Sequence, residues 1–298
     1  MAVLKSELTW SFSRNRLFGD CRRAYFYHYY ASWGGWDKFA PELARKAYML
    51  RSIQSIDAWI GDIVHEIIKW VLESRARAEL ITYEQATLKA KGLLLKTWEQ
   101  SRAKLWQDNP KHNLNLFEHY YNRDSSREVL GAKLEKVLTS LKNFYSCGLL
   151  ESLQSLSKED FLSVDELDTF DFQGVKVFAV PDFALRSNGY SLYDWKTGKP
   201  GENDLMQLSC YVLYAMAKWN ASADAIKIIP VYLADTSVSL VPKAPKPLDE
   251  VRNYIQKGIE DMRACLSNEA ENKADIVNFP RTEEAWRCRN CKFQEICV

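Results

Sequence analysis

The stretch Val180–Gly198, Val-Pro-Asp-Phe-Ala-Leu-Arg-Ser-Asn-Gly-Tyr-Ser-Leu-Tyr-Asp-Trp-Lys-Thr-Gly, constrains this chain more than any other. Two segments rich in apolar and aromatic residues flank Ser187, Asn188 and Gly189. A glycine closing a three-residue loop supplies the left-handed backbone such a hairpin needs. Register then decides the chemistry. If Arg186 pairs with Tyr190, Asp182 stands opposite Asp194, and Lys196, two residues on, shares their face. A two-residue Asn188-Gly189 turn would slip the pairing by one and send the aspartates to opposite faces. In the first register two carboxylates and an amine converge, and such carboxylates repel unless a cation lies between them. Hard oxygen donors suit Mg or Mn. The plainer reading of an Asp-x-Lys strand is a solvated hairpin face, and the rest of the chain must decide between the two.

Seven cysteines, an odd number, fit reduced thiols or a metal centre better than a disulfide framework. Cys288, Cys291 and Cys297 form C-x2-C-x5-C, a spacing that can present three thiolates to one centre. Cys147, Cys210 and Cys265 fall within helical patterns and read as ordinary buried residues. Cys21, followed by two arginines near the other terminus, is the chosen fourth ligand. Such a site would clasp the two ends of the chain. Zinc and a 4Fe-4S cluster both fit four thiolates, and spacing alone does not choose. Free thiols in a loose tail are the plainer alternative.

Along the chain, Ser11 to Tyr30 reads as helix, with a basic face of Arg14, Arg16, Arg22 and Arg23 that could guide a nucleic-acid strand. Its Tyr-Phe-Tyr-His-Tyr-Tyr run reads as core before it reads as a stacking surface, and a Trp-Gly-Gly-Trp loop follows. Helix resumes after Pro41 to about Glu79, with a break near Ser55 and a core stripe at Trp59, Ile60, Ile63, Ile67, Trp70 and Val71. His65 lies on another face, and Gly61, four residues earlier, leaves room beside it. Two or three long helices fill Tyr83 to Glu159. Strands are expected at Phe161–Phe172, Val175–Arg186, Tyr190–Lys196, Ala225–Leu233 and Val238–Val241. Helices are expected at Asn203–Trp219, where Gln207 and Tyr211 share a face, and from Leu248 to about Asn268.

Ten Trp and fifteen Tyr exceed what a core of 298 residues requires, so some rings are free to serve binding. A net charge of +1 neither demands nor excludes a nucleic-acid partner. No signal-peptide core and no run of about 18 apolar residues is present. The expectation is a soluble cytoplasmic protein with no membrane contact. No G-x4-G-K-[ST] phosphate loop occurs, so any duplex unwinding falls to a separate helicase.

Six elements taken together resemble the PD-(D/E)XK nuclease superfamily, in particular its iron-sulfur branch of RecB- and AddB-type nuclease domains and the CRISPR-associated exonuclease. They are Cys21, Gly61-Asp62-Ile63-Val64-His65-Glu66, Pro181-Asp182, Asp194-Trp195-Lys196-Thr197-Gly198, Gln207-x-x-x-Tyr211 and Cys288-x2-Cys291-x5-Cys297, in the family's order. The resemblance implies an α/β (α+β) restriction-endonuclease-like core, its mixed central sheet flanked by helices. It implies a 4Fe-4S cluster on Cys21, Cys288, Cys291 and Cys297. It implies a Mg or Mn ion on His65, Asp182 and Asp194, to which the Trp195 carbonyl is added as a candidate ligand, and it places Lys196, Gln207 and Tyr211 beside the scissile phosphate. Asp194 stands where many members carry Glu, and the gap from His65 to Asp182 is longer than in compact members.

The resulting expectation is one nuclease domain over 1–298. Its parts are N-terminal helices (1–80), a helical insertion (81–160), a catalytic sheet core (161–240) and a C-terminal helix with the cysteine clasp (241–298). The function expected is a metal-dependent DNA nuclease, read as an exonuclease acting on single-stranded DNA or duplex ends in DNA repair, recombination or antiviral defence. The rival readings are a non-catalytic iron-sulfur or zinc module that binds nucleic acid, and a zinc-clasped scaffold for protein partners.

Overall fold

A computed structural model describes residues 6–164, 167–234 and 238–297. Strand β1 (Thr9–Ser11) leads into α1 (Phe12–Asp20), whose N-terminus is capped by the Ser11 hydroxyl, an acceptor for Arg14 N–H. The sequence predicts one helix as far as Tyr30, but the chain breaks it at Cys21. That residue is extended, and its sulfur accepts the Ala24 N–H that starts α2 (Arg22–Phe26). A wide turn, Tyr27–Ala31, follows. Tyr25 and Tyr27 are buried, so the aromatic run is core.

Next come α3 (Glu42–Arg51), β2 (Ile53–Gln54) and α4 (Ile56–Ala76), with the expected break at Ser55, whose hydroxyl caps α4. The helical region that follows holds α5 (Tyr83–Arg102), β3 (Asn115–Leu116), α6 (Phe117–Tyr120), α7 (Arg127–Ser146) and α8 (Leu149–Ser152). Strand β3 pairs with β2 in parallel.

The predicted Phe161–Phe172 strand is two, β4 (Phe161–Val164) and β5 (Phe170–Phe172), and its residues 165 and 166 lie outside those described. The predicted Val175–Arg186 strand also divides, into β6 (Val175–Phe178) and β7 (Phe183–Arg186). Pro181 has no N–H to offer a ladder, and the chain uses it to change sheets. Then come β8 (Tyr190–Lys196), α9 (Asp204–Trp219), β9 (Ile226–Tyr232), α10 (Leu248–Arg263), β10 (Leu266–Asn268), β11 (Lys273–Ala274) and α11 (Ala285–Arg289). The last long helix therefore stops at Arg263, because Leu266–Asn268 turns back to pair with β11. Val238–Val241 forms no strand. Pro242, Pro245 and Pro247 follow it directly, and beyond it Lys243 makes an isolated bridge to Ile228.

The central sheet runs β4-β7-β8-β9; β7 is antiparallel to β4 and β8, while β8 and β9 are parallel and joined through α9. A second sheet, β1-β6-β5, is also mixed. The α/β class with mixed sheets flanked by helices is thus the one observed. Alternation along the strands separates two cores. Phe183, Leu185, Tyr193, Trp195, Ile229 and Val231 pack with α4, α5 and α7. Ala184, Leu192, Ile226 and Ile228 pack with α9 and α10. Asp194 and Lys196 alternate with Tyr193 and Trp195, so they fall on the α9 side. Among the described residues no helix is long and apolar enough to cross a membrane.

Helix α10 reaches β1 and α1 through Gly258. A Cβ there would run into Asn15 Oδ1 and stand 2.8 Å from Trp10 Nε1. Gly258→Ala, on an otherwise favourable helical residue, is expected to lower stability by about 1–3 kcal/mol, read as a lower urea midpoint at unchanged slope.

His28 gives the fold a pH dependence. Burial, then the charges of Lys292, Arg51 and Arg14, push its imidazole down to about 3, and its Nδ1 has no hydrogen-bond partner among the described residues. The folded value is depressed below the unfolded one, so the unfolded chain takes up the proton first. His28 is therefore neutral at no cost above about pH 6.5 and costs stability as pH falls from there towards 3. At pH 5 the loss is about 2 kcal/mol. Urea melts at pH 7 and pH 5 should show a gap that narrows in His28→Phe.

Candidate active site

The hairpin adopts the register that brings the acids together. Arg186 pairs with Tyr190 around Ser187-Asn188-Gly189, and the ladder continues to Phe183 opposite Tyr193. Asn188 and Gly189 both have positive φ, 49° and 106°. A Cβ on Gly189 would lie 2.6 Å from the Ala225 carbonyl oxygen, so backbone conformation and close approach both call for glycine.

Pairing ends one residue before Asp182, which lies in the bend that follows Pro181. Its carboxylate takes over the work of the missing strand, because Oδ2 accepts the Trp195 N–H at 2.7 Å. This fixes Asp182 beside the end of β8. Asp194, 2% exposed, accepts the Tyr211 hydroxyl proton on Oδ1 at 2.8 Å. Lys196 Nζ stands 2.7 Å from Asp194 Oδ2 and donates to Gln207 Oε1 at 2.9 Å. Gln207 Nε2 in turn donates to the Tyr211 hydroxyl at 2.9 Å. The i, i+4 spacing of Gln207 and Tyr211 on α9 thus closes a ring with the alternate residues Asp194 and Lys196 of β8.

His65 arrives from α4. Its Nε2 is 2.9 Å from the Trp195 carbonyl oxygen and its Nδ1 is 3.5 Å from Asp182 Oδ1. Gly61, one turn earlier, faces Thr197; a Cβ there would lie 3.4 Å from Thr197 Oγ1. Thr197 belongs to the Asp194–Gly198 motif, but its contact with Gly61 has no local signal in the sequence, since it depends on how α4 docks on the sheet.

Burial and the charge of Asp182 push the Asp194 carboxyl up to about 6, against the opposing pull of Lys196 and Tyr211. Burial alone would lower the His65 imidazole, but Asp182, then Asp194 and the Trp195 carbonyl, outweigh it and raise it to about 9. Burial and Asp194 hold the Tyr211 hydroxyl well above its ordinary value. The site therefore sets two carboxylates against a shared lysine and a protonated imidazole. Lys196 is close to Asp194 Oδ2 but out of line with it, and that buried oxygen has no hydrogen bond among the described residues.

Two adjacent carboxylates, an imidazole and a backbone carbonyl form a donor set whose chemistry fits a hard divalent cation. The groups are adjacent without being drawn into ligand geometry. Among the described residues no three His, Cys, Asp or Glu side chains stand ready around one point. His65 and the Trp195 carbonyl currently satisfy each other, and a cation taking both would replace that hydrogen bond and displace the extra proton of the imidazole.

Of the four N-terminal arginines, Arg16 lines a cavity of about 240 Å³ that Gln207 and Tyr211 also line. Arg14 is buried and donates to the Tyr25 hydroxyl and to Thr9 Oγ1, Arg22 lies over the Phe18 ring, and Arg23 donates to the Phe279 carbonyl. The expected basic face is mostly structural.

Cys21, Cys288, Cys291 and Cys297 line one cavity of about 920 Å³ between the chain ends, and all four are unpaired thiols. Burial, then the charges of the other three cysteines, raises the Cys291 thiol to about 11. Cys210 and Cys265 are buried in the core formed with α9 and α10, and Cys147 packs against the opposite one.

The family model of the PD-(D/E)XK nuclease superfamily matches residues 9–298. The chain belongs to the PD-(D/E)XK nuclease superfamily. No curated protein matches it in sequence. The mixed four-stranded sheet with flanking helices accords with the restriction-endonuclease-like fold of PD-(D/E)XK proteins. Members of the superfamily are generally nucleases that hydrolyse phosphodiesters, typically with Mg or Mn. Pro181-Asp182 and Asp194-Trp195-Lys196 are the residues of this PD-(D/E)XK chain that spell the signature.

Proposed function

We propose that this chain is a Mg- or Mn-dependent deoxyribonuclease that degrades single-stranded DNA from an end, with Asp182, Asp194, Lys196, Gln207 and Tyr211 as its catalytic set. The observation that carries the reading is the convergence of buried Asp194, ion-paired with Lys196 at 2.7 Å, with Asp182 and His65 around the Trp195 peptide, the lysine being anchored also by Gln207.

Asp182, Asp194, His65 and the Trp195 carbonyl are the groups that would hold the cation. When bound, the ion would neutralise charge building on the phosphate and lower the pKa of a water beside it. The protein's own part is positional. The Trp195 N–H keeps Asp182 aimed, and the Tyr211 hydroxyl keeps Asp194 from rotating. Gln207 and Asp194 hold the Lys196 ammonium where it can donate to a phosphate oxygen or orient the attacking water.

Cys21, Cys288, Cys291 and Cys297 would hold a 4Fe-4S cluster, and their meeting around one cavity supports a clasp that closes a loop of nearly the whole chain. The end-directed reading, the cytoplasmic setting, the separate helicase and a role in repair, recombination or antiviral defence rest on the resemblance to the iron-sulfur branch.

The test is purified protein with end-labelled single-stranded, duplex and circular DNA, in Mg, Mn or chelator. Loss of label from linear single strands, dependent on metal and sparing circles, is the expected result. Cleavage unaffected by chelator would overturn the metal reading, and cut circles would overturn the end-directed one. Brown colour and broad visible absorbance in anaerobically purified protein, lost in Cys291→Ser, would support the cluster; a colourless zinc protein would refute it.

A further inference from the structure

Helix α4 has a second face that this chemistry leaves unused. Trp59, Asp62, Ile63 and Glu66 recur there at helical spacing and form one wall of a cavity of about 910 Å³. The opposite wall carries Trp33, Trp36 and Tyr48. Trp33 and Trp36 are 40% and 48% exposed, much ring area to leave in water. They meet edge to face at 5.3 Å and 82°, and Trp36 meets Tyr48 at 6.0 Å and 69°.

The loop that presents these rings is held in place. Trp33 N–H donates to the Tyr30 carbonyl, Gly35 N–H to Ser32 and Asp37 N–H to Gly34. The buried Ser32 hydroxyl donates to the His28 carbonyl and accepts from Arg51 Nη1. Gly35 sits so close to α3 that a Cβ would strike the Ala44 carbonyl oxygen. The rings are therefore in position before any ligand arrives, which reduces the ordering cost of binding.

Charge narrows the choice of ligand. Arg51 and Lys111 in the cavity are balanced by Asp62 and Glu66. A phosphate track needs a cationic surplus, and here there is none. What remains attractive is flat aromatic area. Asp62 precedes His65 by three residues on α4, and residues so spaced are neighbours, so the cavity and the proposed catalytic centre share a rim.

We propose that Trp33, Trp36 and Tyr48 form a clamp for unpaired bases of the nucleic-acid substrate, holding the strand a short distance from the bond to be cut. A base in duplex already has both faces stacked and cannot enter, so the clamp selects single-stranded over paired substrate. The proposal rests on the nuclease reading for the strand's presence, but its test needs no cleavage.

The full-length chain, kept in chelator, is titrated against three fluorescent oligonucleotides. These are a single strand, an abasic strand of the same length and charge, and a blunt duplex. The wild-type chain should bind the abasic strand at least about fivefold more weakly than the strand with bases. Trp33→Ala/Trp36→Ala should lose the same factor for the strand with bases while leaving abasic and duplex binding unchanged, and the Phe/Phe variant should recover part of it. Equal wild-type affinity for the base-bearing and abasic strands overturns the clamp without reliance on any variant. Unchanged single-strand binding by the double alanine variant overturns it too. Base discrimination in a chain that never cuts in Mg or Mn would support the clamp and refute the nuclease reading; cutting without base discrimination would do the reverse.

Discussion

Asp194→Asn and Lys196→Met should each slow metal-dependent DNA cleavage by about a thousandfold or more, while the thermal midpoint of Asp194→Asn stays at or above that of the parent chain. The two halves of this expectation have one cause. Burial and Asp182 raise the Asp194 carboxyl to about 6, so its ionised form is less favourable in the fold than in the unfolded chain. The sign follows directly. An acid whose folded value is raised contributes stability that is present at low pH and lost as pH rises through about 6. At neutral pH the charge is a burden on the fold, and the amide removes it while keeping the Tyr211 hydroxyl in contact. Lys196→Met leaves Asp194 without its cation and should lower the midpoint as well as the rate. Single-turnover rates and melts on the same preparations check both halves. A rapid Asp194→Asn enzyme would sink the site assignment.

Phe279→Ala is expected to cost about 3–5 kcal/mol, the largest stability effect among the substitutions considered. Phe279 is fully buried and packs against Tyr25, Phe26 and Tyr30, with centroids 5.5 to 6.1 Å away. Its carbonyl accepts from Arg23 Nε, and the next carbonyl, of Pro280, accepts the Arg23 N–H. These contacts hold the segment leading to Cys288 against the helix that follows Cys21. The truncation should lower the urea midpoint with little change in slope, whereas Phe279→Leu, which fills most of the space, should cost under half as much.

What was legible beforehand depended on the range of the contact. The register around Ser187-Asn188-Gly189 is a local matter of turn chemistry and put Asp194 and Lys196 on one face, but Asp182, expected opposite Asp194 in the ladder, lies in the bend after Pro181 and reaches the site through the Trp195 N–H. The Gln207 and Tyr211 pairing follows from one helical turn. The break at Ser55 follows from its capping hydroxyl. The misses are non-local or involve residues that end an element. Pro181 divides a seemingly continuous strand because β6 is needed beside β1, some 170 positions earlier. Cys21 breaks a helix whose apolar pattern runs on unbroken. Arg14 is drawn inside by Tyr25 and Thr9, which no spacing rule foretells. The prolines between Val241 and Leu248 prevent the Val238–Val241 segment from extending into a longer ladder.

The parallel partnership of β8 and β9 through α9 has a consequence for biosynthesis. A ribosome delivers both aspartates and the lysine well before Ile226–Tyr232, yet most of the packing of the crossover helix bearing Gln207 and Tyr211 against the sheet waits for that strand. A growing polypeptide should therefore lack the finished ring of Asp194, Lys196, Gln207 and Tyr211 until most of its length has emerged, so the proposed nuclease activity would appear late in synthesis.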